Sequence, residues 1–509
     1  MSTRDLFRGA VQWLAEHLPA DPELRPALGF VSGDPAEAAR TLGDRPAGPG
    51  RAGGEPAKVP TVAATARAIR EGRLTAAAAV EGALGRVAAL DPTLRAFTTV
   101  CGDAARREAG RLDAEQRGGR LRGPLHGVPV SVKDVIHVAG VPTTASSRVL
   151  DDLVPGEDAC AVARLRAAGA VVIGKTETHE FALGVTTPQS RNPWDAARIP
   201  GGSTGGSAIA VATGMTPGAL GTDTRASIRC PAALSGVVGF KPTFGLVPTH
   251  GVVTLSWSMD HVAPMAPTVE DAALLLDVLA GRDPRDPGSV DPVGGPYAGH
   301  AGAPVAGLRI GVPAAGFAGA QPNVAEAVRR ALDGLAAAGS VLVPVGEPAP
   351  EDFEMANAAG MIVSRAEAAT YHHRWLAERR DRYTEETRAQ LEEAAQVPAA
   401  VYLAAQRLRE AFRRRMRALL REVDALALPT ALVEAPRVED AERFLLVLSR
   451  NCIPWSFIGF PAVSVPCGRT AAGLPVGLQL VAPPFADGRL VALGSAVEAL
   501  GLYPLEACS

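Results

Sequence analysis

The chain has 509 residues, 47% of them apolar, enough for one large domain or two to three ordinary ones with a sizeable core. Its formal net charge of −3 provides no field for a polyanion, so no nucleic-acid partner is expected. Six cysteines (Cys101, Cys160, Cys230, Cys452, Cys467 and Cys508) are scattered without a Cys-x-x-Cys pair or metal-ligand spacing, which predicts a reducing cytoplasm, no disulfide framework and no metal site.

Residues 1–42 read as a small helical appendage. Leu6, Ala10, Leu14 and Leu18 recur every four residues, with Phe7 and Val11 on a neighbouring row, and Asp34-Pro35 has the form of an N-cap followed by proline. Charges interrupt "MSTRDLFRGAVQWLAEHL", so no signal peptide is expected. Residues 43–58, with five glycines and three prolines, read as a linker. From Val59 to Ser509 helical stretches alternate with short apolar runs at 129–135, 170–175, 307–313, 340–345, 425–429, 462–468 and 474–481, while 351–424 is strongly helical. The pattern predicts a single α/β domain whose sheet is covered by helices on both faces. The longest uncharged run, Ile199–Thr222, is rich in Gly, Ser, Thr and Pro; it predicts a loop and a short helix, and no membrane span.

Only four of the 51 Lys and Arg residues are lysine: Lys58, Lys133, Lys175 and Lys241. A buried lysine can lose its proton and act as a base, whereas arginine stays charged. "GAVVIGKT" fits a phosphate-loop formula, but its middle residues read as a strand, which makes Lys175 structural. "GGSTG" fits a nucleophile elbow but lacks the preceding strand. More informative is the order Lys133, Ser203, Ser227. A serine nucleophile needs a base, and a second hydroxyl can relay the proton to a neutral lysine. Lowering a lysine from about 10.4 to 7–8 takes about 4 kcal/mol of desolvation and like-charge repulsion.

The segments "GVPVSVKDVIHVAGVPTTASS", "GKTETHEFALGVTT", "RNPWDAARIPGGSTGGSAIAVATG", "GTDTRASIRCPAALSGVVGFKPTFGLVP" and "SMDHVAPMAPTVEDAALLLDVLAG", with a closing "GFPAVSVPCGRTAAGLPVGLQLVAPPF", together resemble the amidase signature family over residues 59–503. The resemblance implies an α/β/α fold around a large, mixed, twisted sheet, with no cofactor. It implies a Ser–cis-Ser–Lys triad of Ser227 as nucleophile, Ser203 as bridging serine in a cis peptide, and Lys133 as base. Asp223 and Arg229 match residues that brace the site, and Lys241 falls in a structural strand. The matching oxyanion donors are the backbone N–H groups of Thr224, Arg225, Ala226 and Ser227.

Where the family has Gly-Gly before its nucleophile, this chain has Arg225-Ala226. Both keep their N–H groups; a left-handed backbone there would cost about 1–2 kcal/mol. Arg225 has three readings: a contact to a substrate carboxylate, a structural side chain, or an obstruction that impairs or diverts the chemistry. The expected function is hydrolysis of a small-molecule carboxamide. Its alternatives are an amide- or ester-forming acyltransferase and a catalytically impaired binding protein. The glutaminase subunit of tRNA-dependent amidotransferases, also in the family, ranks lower on the segment "GLVPTHG" and the added N-terminus. Residues 1–42 either pad the surface or mediate a homodimer. Pocket walls are expected from 137–150, 351–445 and 452–457.

Overall fold

The computed structural model describes residues 3–16 and 59–504. Eleven strands form one sheet: β1 (Phe97–Val100), β2 (Pro129–Lys133), β3 (Val171–Thr176), β4 (Gly218–Asp223), β5 (Val238–Lys241), β6 (His261–Ala266), β7 (Arg309–Pro313), β8 (Val341–Val345), β9 (Ala425–Pro429), β10 (Ala462–Arg469) and β11 (Pro475–Val481). Their order is β1-β3-β2-β4-β6-β5-β10-β11-β9-β7-β8. β2 is parallel to both β3 and β4, and β7 to both β8 and β9; the other pairs are antiparallel.

All seven apolar runs of the sequence are strands. Three strands were not expected, β1, β4 and β6, made of FTTV, GALGTD and HVAPMA; β5, VGFK, ends on Lys241, which the family resemblance put in a strand. Adjacent residues of a strand face opposite sides of a sheet. In β4, Ala219 packs with the helix Gly205–Ala212, while Leu220 joins the core under the helices Val269–Leu279, Pro322–Ala337 and Asp487–Ala499. Both faces of the sheet are therefore covered, as the sequence implied. On the Gly205–Ala212 side the approach is too close for large side chains. A Cβ on Gly221 would lie 2.3 Å from Thr204 Cγ2, and one on Gly239 would lie 2.7 Å from Ala232 Cβ.

The helices Pro350–Glu378, Glu385–Ala394 and Ala399–Glu422 account for the charged helical region. Against them lies the N-terminal helix Thr3–Glu16, through buried Phe7 and Ala10 and half-buried Val11. The expected N-cap at Asp34, the linker 43–58, Lys58 and Cys508 lie outside the described residues. The five described cysteines are free thiols, and no helix among the described residues is long and apolar enough to cross a membrane.

Candidate active site

β2 and β4 run parallel side by side, so their carboxyl ends open at one edge of the sheet, where ligand sites of open α/β sheets form. Lys133 is the last residue of β2 and Asp223 the last of β4. Between them the loop 201–204 leads into the small-residue helix Gly205–Ala212, as its Gly/Ser composition predicted. The Gly202–Ser203 peptide is cis. Gly202 is required here: an added Cβ would lie 2.0 Å from Thr186 O.

Lys133 is fully buried, with Nζ 2.8 Å from Ser203 Oγ, 2.9 Å from Thr204 Oγ1 and 2.9 Å from Thr222 Oγ1. Burial pushes its pKa down to about 7, against the opposing pull of Asp223 and Asp260. The amine thus lies in the range that the sequence argument required of a base. The two threonines were not singled out from sequence; their hydroxyls fix the ammonium's remaining donors.

Ser227 is buried in the loop after β4. The N–H of Thr204, the residue after Ser203, donates to Ser227 O at 3.2 Å. The two serine hydroxyls are not hydrogen-bonded to each other in this structure. None of the N–H groups of Thr224, Arg225, Ala226 and Ser227 donates to a protein acceptor among the described residues. Neither Arg225 nor Ala226 has a positive φ, so replacing Gly-Gly demands no left-handed backbone.

One carboxylate ties both ends of this loop. Asp223 Oδ2 accepts from Ile228 N at 3.2 Å and from Arg229 Nε at 2.9 Å, and Oδ1 accepts from Arg229 Nη2 at 3.1 Å. Arg229 also donates to Gln479 Oε1 at 2.7 Å, Ser456 Oγ at 2.6 Å and Cys452 O at 3.0 Å. Burial alone would raise the Asp223 pKa; the Arg229 guanidinium outweighs it and holds the carboxyl below its usual range. A second clamp, missed in the sequence, is Asp260. It accepts from Thr224 Oγ1 at 2.6 Å and from the N–H groups of Leu255 and Ser256 at 2.9 and 3.0 Å. Burial lifts its pKa to about 6.

The other two described lysines are held by the fold. Lys175 ends β3, as the strand reading of "GAVVIGKT" required, and pairs with Asp134 at 2.8 Å in full burial. Lys241 contacts Phe460 O and lies 3.2 Å from His261.

Arg225 is buried, and its Nη2 donates only to Leu183 O, at 3.3 Å. No carboxylate stands within ion-pairing distance of it among the described residues. Its side chain lines a cavity of about 220 Å³, together with the 179–190 segment, Met361, Glu386, Gln390, the 438–449 segment and Ile453. Ser203 and Ser227 do not line this cavity, and neither does the 137–150 loop that was expected to wall the pocket.

The model of the Amidase family matches residues 78–491. A glutamyl-tRNA(Gln) amidotransferase subunit of Chloroflexus aurantiacus is 40% identical over 472 residues, covering 86% of this chain and 96% of that protein. Two solved structures are similar. One is a chain of a vestigial protein complex bearing on the origins of an s-triazine catabolic enzyme, with TM-score 0.82, 34% identity, and 88% and 100% of the two chains covered. The other is the peptide amidase of Stenotrophomonas maltophilia, with TM-score 0.76, 32% identity, and 88% and 98% covered. A family match over most of the chain, on the fold and strand order described above, places this protein in the Amidase family, the amidase signature enzymes.

Proposed function

We propose that the protein cleaves the C–N bond of a small-molecule carboxamide through a Ser227 acyl-enzyme, with water as acceptor. Neutral Lys133 takes the proton of Ser203, which takes that of Ser227, and Ser227 Oγ attacks the carbonyl carbon. The N–H groups of residues 224–227 hold the oxyanion; such a donor contributes about 2.7–4 kcal/mol to the transition state. Collapse expels the amine, which receives the proton back along Lys133 and Ser203. Water then adds to the acyl carbon by the reverse relay and frees the acid and Ser227. The link from Ser203 to Ser227 tightens in the substrate complex, as catalytic hydrogen bonds commonly do. No step calls on a cofactor.

The observation that carries this reading is the Lys133–Ser203 contact of 2.8 Å at an amine held near neutrality by burial. Stoichiometric labelling of Ser227 by a fluorophosphonate, abolished in Lys133→Ala, is the expected result. Unlabelled Ser227 in folded protein would favour a binding protein with an inert site. Partition of the acyl-enzyme toward added amine over water would instead favour the acyltransferase.

A second reading rests on the 40% identity to the Chloroflexus glutamyl-tRNA(Gln) amidotransferase protein. There the same acyl-enzyme would form from glutamine within a larger assembly. Ammonia release from free glutamine, rising when partner proteins co-purify, would select it.

A further inference from the structure

The same cavity holds an imbalance of charge. Behind its wall lies a second buried guanidinium, Arg365, on the helix Pro350–Glu378. Its Nη2 donates at 2.9 Å to Gln390 Oε1, and Gln390 lines the cavity. Its Nε and Nη1 are buried without a partner among the described residues. The ring of Phe7, from the N-terminal helix, closes its far side at 4.9 Å. Burial pushes the pKa of Arg225 down to about 10. For Arg365, burial and then the nearby charge of Arg225 outweigh the opposing pull of Glu393 and Glu386 and bring it to about 9. Both stay cationic at pH 7.

Two like charges in one buried region, neither of them in an ion pair among the described residues, are unfavourable, and such arrangements mark functional sites. Other buried arginines here differ. Arg409 donates twice to Ser258, at 3.0 and 2.6 Å, and Arg450 donates to Ala315 O at 3.1 Å and Asn451 Oδ1 at 3.2 Å. Neither of these lines the cavity, whereas Arg225 does and makes one long bond. The acids of the cavity wall, Glu386 and Glu442, are exposed and leave Arg225 unpaired. Leu183, Val185, Met361 and Leu446 surround it with apolar surface, which strengthens any ion pair formed there.

We propose that the acyl half of the substrate carries a free carboxylate bound by Arg225 in this cavity, with Arg365 as a positioning residue that reinforces the positive charge behind it. The substrate class is then the monoamide of a dicarboxylic acid. This rests on the acyl-enzyme reading above. Residues 225 and 227 are at most about 7 Å apart along the backbone, which puts the guanidinium and the nucleophile on one short segment; the length of carbon chain that joins carboxylate to amide is what the test varies.

The test compares succinamic, glutaramic and adipamic acids with their uncharged counterparts butyramide, pentanamide and hexanamide, on the full chain. The expected result is a preference for the acids of at least about 100-fold in kcat/KM. Arg225→Gln should collapse that preference, and Arg225→Lys should restore part of it. Arg365→Met should raise KM for the acids more than it lowers kcat, with little change in KM for the neutral amides. A second measurement needs no turnover: dicarboxylates should slow fluorophosphonate labelling of Ser227 in wild type and fail to do so in Arg225→Gln. Wild type that processes or is protected by neutral and acidic ligands equally, while Ser227 still labels, overturns the carboxylate proposal alone. Failure of Ser227 to label in folded protein overturns the acyl-enzyme reading beneath it.

Discussion

Arg225 and Arg229 stand on either side of Ser227, both buried and four residues apart, Arg225 in the loop after β4 and Arg229 at the start of the short helix Arg229–Ser235. The fold saturates Arg229: it shares two hydrogen bonds with Asp223 and reaches Gln479, Ser456 and Cys452 besides. Among the described residues it leaves Arg225 with a single 3.3 Å hydrogen bond and a cavity in front of it. Residue type and burial are the same, so neither tells the two apart. Saturation does. A buried charge whose donors all end on the protein belongs to the scaffold. One whose donors point into a cavity is held for something that arrives.

The largest effect should come at the serine between them. Ser227→Ala is expected to lower kcat by about 10⁴-fold or more, with Lys133→Ala close behind, because residues of one relay fail together. Burst-phase and steady-state kinetics on any accepted amide would measure it. Turnover within tenfold of wild type in either variant would remove the relay, and with it the meaning of both flanking arginines.

The arginines themselves should separate by stability. Arg229→Met strands Asp223 in the interior, and removing one partner of a buried pair costs about 3–5 kcal/mol. Arg225→Met strands no charge; replacing an unpaired buried cation by an apolar side chain should change stability by less than about 1 kcal/mol, or raise it. Urea unfolding of the two variants reads the difference. Equal destabilisation would mean that Arg225 is as much a scaffold residue as Arg229.

Protonation probes the same region from the side of the base. In the proposed relay the working form of Lys133 is neutral, and burial brings its pKa down to about 7. The rate should therefore rise with pH through about 7 and level off above 8. Well below 7 it should fall tenfold per unit, to about a hundredth at pH 5. A flat profile for kcat/KM between pH 5 and 8 would show that no such base acts.

How far the sequence foretold this site follows from residue size and residue rarity. Lys133 stood out because lysine is scarce in this chain, Ser203 because a glycine-rich loop surrounds it, and Ser227 because it lies between two arginines at the position that matches the family's nucleophile. The strand that delivers Ser227 did not stand out. β4 is GALGTD and its neighbour β6 is HVAPMA, without the branched apolar runs that mark strands. Close helix packing at Gly221 explains part of that: the contact that builds the site selects the small residues that hide it. Arg365 was hidden for the opposite reason. In a chain that uses arginine for nearly every positive charge, one more arginine on a charged helix carries no signal until its empty Nε and Nη1 are seen. The cavity wall was legible in part: 351–445 and 452–457 contribute Met361, Glu386, Gln390 and Ile453, whereas 137–150 does not reach it and the 179–190 segment lacks any pattern that points it at Arg225.

The smallest effect tests whether Lys133 is tuned by its immediate hydroxyls as well as by burial. Thr222 Oγ1 takes one of the three contacts to Nζ, at 2.9 Å. That bond favours the ammonium, since a charged donor binds a hydroxyl oxygen more strongly than a neutral amine does. Thr222→Val removes it while keeping the side chain's shape. The ammonium then loses about 1 kcal/mol of support, which lowers the pKa of Lys133 by less than about one unit. Because the neutral form is the base in the proposed relay, the acid limb of the rate profile should move to lower pH while the plateau changes little. A shift to higher pH would mean that the threonine supports the neutral amine instead, by donating its own proton to Nζ. The relay would then begin from a base already occupied, and Ser203 would have to compete with Thr222 for it.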